Sequence, residues 1–142
     1  MTRHEIAEWF PKGRKPDFGA SAFACPTLGW LRGPFWAFFR SRYWAIDLDK
    51  WKFRWECRDF ARAYACAAQE CWASTKASGT ADESDACAVG EIWFLPDSAN
   101  PLLGHAICPV FTDHGLQFIE PQTGQLYPMS AAQIQSRYFL RF

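Results

Sequence analysis

The sequence predicts an α+β chain, because one long helical pattern is followed by a series of short strand patterns. From Cys57 onward, Phe60, Ala61, Tyr64, Ala67, Ala68, Cys71 and Trp72 recur at steps of three and four in an alanine-rich segment. Beyond a polar loop, three apolar runs at 89–95, 104–111 and 116–120 read as strands, the last two separated by the turn signal Asp113-His114-Gly115. With 142 residues, 49% of them hydrophobic and 18% aromatic, the chain is long enough to bury a core of its own and too apolar to be disordered.

In chain order, residues 1–27 contain Pro11, Gly13, Pro16, Gly19 and Pro26 and read as an irregular N-terminal arm after a short helix at 6–10. Residues 28–142 are expected to form a single domain. The aromatic run 34–46 lacks a clean period, so helix and strand stay open there. Trp51, Phe53 and Trp55 alternate with Lys52 and Arg54, an extended approach to the Cys57 helix. Residues 76–85 form the polar loop. A short strand is expected at 125–128, a brief helix capped by Ser130 at 131–136, and a closing strand at 138–142.

Lys and Arg balance Asp and Glu at 15 each, yet the balance is uneven along the chain. Residues 1–62 carry 12 basic and 7 acidic side chains, whereas residues 63–142 carry 3 and 8. Basic residues among tryptophans are how single-stranded nucleic acid is gripped, but a whole-chain pI near 6.8 disfavours that partner. The apolar stretch 28–46 is broken by Arg32, Gly33-Pro34, Arg40 and Arg42, which disfavours a membrane span. Without a leader pattern at Met1-Thr2-Arg3-His4-Glu5, a cytoplasmic location is expected, with the six cysteines reduced and mostly buried. No CxxC occurs, so zinc is not indicated.

Three residues form a candidate chemical constellation. Cys57 stands at the expected helix start, where the positive end of the dipole favours a thiolate. His105 lies in a strand candidate between small and apolar neighbours, and Glu120 ends the next strand. If the strands pair through the intervening turn, His105 and Glu120 are brought close, giving the order nucleophile, base and orienting acid. Asp59, two residues into the helix, reads as a first-turn capping acid.

The blocks Trp55-Glu56-Cys57-Arg58-Asp59-Phe60-Ala61, Gly104-His105-Ala106 and Ile119-Glu120-Pro121-Gln122-Thr123 resemble those of papain-like cysteine hydrolases. They are closest to the protease domain of Marasmius-type agglutinins and its bacterial and phage relatives. The resemblance covers roughly residues 51–124. It implies a papain-like fold, with a nucleophile-bearing helix packed on a small antiparallel sheet. It also implies a cysteine peptidase or amidase acting on a peptide or protein substrate, with Cys57 as nucleophile, His105 as base and acid, and Glu120 as the residue orienting His105. Such enzymes place a Gln before the nucleophile as an oxyanion donor; residues 48–54 contain none. Lys52 and the Trp51 indole are the local substitutes, Trp44, Trp51 and Trp55 are cleft candidates, and Gln122 is a candidate beside Glu120. No cofactor is required by the residues, although the agglutinin likeness implies calcium, for which Asp82, Glu83 and Asp85 are candidates. The competing expectation is a non-catalytic interaction module of papain-like fold, binding protein or nucleic acid through the basic aromatic half.

Overall fold

The computed structural model describes residues 1–12, 15–43, 55–76, 86–97, 100 and 102–142. Helix α1 (Arg3–Glu8) is set by a capping box: the Thr2 hydroxyl accepts from the Glu5 N–H while the Glu5 carboxylate accepts from the Thr2 N–H. That box places the helix earlier than the expected 6–10. Strand β1 (Phe23–Ala24) follows. The aromatic run then resolves as two helices, α2 (Leu28–Arg32), capped by Thr27, and α3 (Pro34–Tyr43), which begins at a proline whose missing N–H costs nothing in a first turn. Helix α4 (Cys57–Lys76) is the longest element.

Strands β2 (Ala86–Cys87), β3 (Glu91–Phe94), β4 (His105–Thr112), β5 (Gly115–Glu120) and β6 (Gln125–Leu126) come next, then α5 (Ala131–Gln135) and β7 (Phe139–Arg141). Five strands form an antiparallel sheet in the order β6-β5-β4-β3-β7; β1 and β2 form a separate parallel pair. The β4–β5 hairpin turns through Asp113 and His114, and Gly115 takes φ +80° opposite Thr112. The C-terminal strand returns to the edge of β3, pairing Glu91 with Arg141 and Ile92 with Leu140.

Strand β4 is buried almost throughout, which requires cover on both sheet faces. Ala106, Cys108 and Val110 join a cluster beneath the helices that includes Leu31, Phe35, Phe39 and Tyr64. Ile107 and Phe111, of opposite parity, join a second cluster with Ile6, Phe10, Phe23, Leu140 and Phe142. Burial of Ile6, Phe10 and Phe23 contributes roughly 5–9 kcal/mol before entropy, so the chain at these three residues is held down by apolar packing despite its turn-rich sequence. Gln69 ties α4 to β2, its amide donating to the Cys87 carbonyl (2.6 Å) and its carbonyl accepting the Cys87 N–H (2.9 Å).

The expected papain-like arrangement, one nucleophile-bearing helix on a small antiparallel sheet, is therefore corrected. The sheet has five strands and lies between two apolar layers, and a second, parallel pair is separate from it. The physical reason is the unbroken burial of β4: a sheet covered on one face only would alternate between buried and exposed residues.

Candidate functional site

Cys57 is the first residue of α4 and is half-buried. The turn that starts the helix is fixed by Asp59, whose Oδ2 accepts the Glu56 N–H at 2.9 Å, while the Glu56 carbonyl accepts from the N–H groups of Asp59 and Phe60. Asp59 is thus a capping acid aimed at Glu56. Arg58 pairs with Glu56 at 3.0 Å and sits over the Trp93 ring, 5.5 Å from its centroid.

His105 begins β4 and Glu120 ends β5. Cys108 opposes Ile119, so continuing the register opposes Ile107 to Glu120 and leaves His105 as the diagonal neighbour on the same face. The contact is direct: His105 Nε2 and Glu120 Oε2 are 2.9 Å apart, with both side chains about one-fifth exposed. The second Glu120 oxygen accepts the Gln122 N–H at 3.3 Å. The His105 ring packs in a three-ring cluster with Phe94 and Tyr127, at centroid separations of 5.8 and 5.9 Å.

Cys57 adjoins this pair and is the largest cause of the raised His105 pKa. The His105 pKa is pushed up to about 9, first by Cys57 and then by the hydrogen bond to Glu120, against the opposing effect of burial. At neutral pH the ring is an imidazolium, the partner that a thiolate nucleophile requires.

The other predicted site residues are not assembled in this way. Trp55 packs against Tyr43 and Phe60, and its indole N–H is buried without a hydrogen-bond partner among the described residues. Gln122 contributes its backbone N–H to Glu120. Trp44, Trp51 and Lys52 lie outside the described residues, as do the calcium candidates Asp82, Glu83 and Asp85. Among the described residues no group of three or more His, Cys, Asp or Glu side chains is placed to hold a metal, and no helix is long and apolar enough to cross a membrane.

One supporting element escaped the sequence reading. Glu120 is followed by a tight turn in which its carbonyl accepts the Thr123 and Gly124 N–H groups at 3.2 and 2.8 Å. Gly124 has φ +69°, and a Cβ there would lie 2.9 Å from the Trp36 ring. Trp36 on α3 thereby seats the turn that carries Glu120. The signal was Thr123-Gly124 itself, a turn dipeptide three residues after Glu120.

No family model and no curated protein matches the chain. Among solved structures it is similar to the Polyporus squamosus lectin bound to the human-type influenza-binding epitope Neu5Aca2-6Galb1-4GlcNAc, with a TM-score of 0.64 and 17% identity over 100% of this chain and 49% of that one. It is also similar to PSL1a in its complex with E64, with a TM-score of 0.67 and 20% identity over 99% of this chain and 49% of that one. The chain spans about half the length of each, and the likeness is one of fold. These neighbours correct the papain-like assignment, because the structure that the first of them names is a lectin. The lectin neighbours conflict with the expectation of a hydrolase, cysteine protease or thiol protease with bacterial and phage relatives. They conflict equally with cleavage of a peptide-like amide by a Cys57-His105-Glu120 triad and with the protein- or nucleic-acid-binding module of papain-like fold. The likeness of the chain is to about half of a lectin chain, and its Cys57, His105 and Glu120 side chains meet at one end of the sheet.

Proposed function

We propose that the chain is a ligand-binding module with a reactive thiol at its centre. In this reading Cys57 is the nucleophile, His105 holds and returns its proton, and Glu120 orients His105. The observation that supports it is the placement of His105, held by the Glu120 carboxylate at 2.9 Å and near enough to Cys57 for that residue to be the largest cause of its raised pKa. The complex of the structurally similar PSL1a with E64 suggests the ligand class, since E64 is an epoxide and an epoxide carbon is an electrophile open to a thiolate. The Cys57 sulfur would form a bond to that carbon as the carbon–oxygen bond breaks, and the His105 imidazolium would give its proton to the released alkoxide. The product is a thioether alcohol, and no further reactant is needed.

The test is labelling of the full chain with E64, read by intact mass and peptide mapping. A single adduct on Cys57 is expected, absent in Cys57→Ala and formed at least tenfold more slowly in His105→Gln. Adducts spread over the six thiols, or none, would overturn the reading.

A second reading is carbohydrate binding, favoured by the similarity of the whole chain to part of a lectin solved with a sialylated epitope. Titration of the chain with that trisaccharide, followed by NMR shifts, tests it; unchanged spectra at millimolar ligand would overturn it. The six free thiols suit a reducing compartment, which is the support for a cytoplasmic location. Calcium at Asp82, Glu83 and Asp85 is a proposal separate from the thiol chemistry. E64 labelling that is unchanged by EDTA is expected, whereas loss with EDTA and recovery with calcium would tie the site to the metal.

A further inference from the structure

A cavity of about 300 Å³ opens between α4, β2 and the start of β3, at the end of β3 opposite the strand residue that pairs with His105. Phe23, Val89 and Phe142 form its apolar wall, and Arg62, Glu91 and Arg141 also line it. Glu91 is 4% exposed, with Oε2 buried and without a hydrogen bond, 3.8 Å from Arg62 Nε. Burial raises the Glu91 pKa, and the charges of Arg62 and Arg141 oppose that rise.

Two guanidiniums thus stand against one carboxylate, which lines the cavity but is nearly buried. Arg62 is 55% exposed and Arg141 is exposed at the sheet edge; neither guanidinium makes a hydrogen bond among the described residues, apart from the longer Arg62–Glu91 ion pair. The accessible charge at the mouth is therefore positive and presented as planar forks, the geometry that matches a carboxylate.

We infer that this cavity binds a small monocarboxylate with an apolar body, its body against Phe23, Val89 and Phe142 and its carboxylate held by Arg62 and Arg141. Glu91 is a positioning residue that holds Arg62 at the mouth. The site is separate from the thiol cluster and does not depend on it.

Three probes of one shape test the inference: 4-phenylbutyrate, its neutral amide and 4-phenylbutylamine, titrated calorimetrically into the full chain at low salt. The carboxylate is expected to bind at least tenfold more tightly than the amide, and the amine more weakly than either. Arg62→Gln combined with Arg141→Gln should abolish the preference for the carboxylate, and both substitutions fall on exposed side chains. The Cys57→Ser variant should bind all three probes as the parent does. Equal affinity for carboxylate and amide, tightest binding of the amine, or a preference that survives the double substitution would each overturn the inference.

Discussion

Gly124 shows how one residue far from any reactive atom governs the site. Its positive φ and the Trp36 ring 2.9 Å from its missing Cβ are independent obstacles to a side chain. Gly124→Ala is expected to cost about 1–3 kcal/mol in urea unfolding, from backbone strain and displacement of the indole. Because the Glu120 carbonyl is tied to the Gly124 N–H, the same substitution should slow E64 labelling of Cys57. Full stability with unchanged labelling would show that Trp36 and Gly124 do not seat Glu120. Glu120→Gln separates orientation from charge: the amide retains an acceptor for His105 but loses the negative charge that holds the imidazolium. Labelling slowed several-fold, with the melting temperature changed little, is expected; an unchanged rate would remove Glu120 from the cluster.

At the scale of elements, the start of α4 depends on Asp59, which accepts the Glu56 N–H in a half-buried position. Asp59→Ala is expected to destabilise the chain by about 1 kcal/mol, read from the urea midpoint, and Asp59→Asn by less, since an amide oxygen still accepts. Helix α4 and the β4–β5 hairpin were legible in the sequence because each has a period and a punctuation mark: alanine-rich steps of three and four, and Asp113-His114-Gly115. The α2–α3 region was not, since a segment apolar on several sides has no period, and the Thr27 cap and Pro34 start were the stronger signals. The β1–β2 parallel pair and the docking of β7 on β3 join residues far apart in sequence, and no local pattern encodes such pairings. The meeting of His105 with Glu120 could be reached from the hairpin register alone, whereas the Trp36 support could not, because α3 and the Glu120 turn are linked only through tertiary packing.

For the molecule as a whole, His105 links the site to global stability. Its folded-state pKa of about 9 exceeds the ordinary 6.5, so the native state holds this proton more tightly than the unfolded chain. The stabilisation is fully present below about pH 6.5 and is lost as pH rises through about 9. Because the two side chains are only about one-fifth exposed, solvent screens little of the interaction, and the loss is expected to be roughly 1–3 kcal/mol. Urea unfolding of the parent and of His105→Gln at pH 6, 7.5 and 9 isolates this contribution from other titrating groups. The stability gap between the two should narrow steadily across that window. In Cys57→Ala the narrowing should shrink more than in Glu120→Gln, because Cys57 is the larger cause of the raised pKa. A gap that stays constant from pH 6 to 9 would mean that His105 titrates near 6.5 in the folded chain. The proton that the thiol chemistry calls on would then be absent at neutral pH.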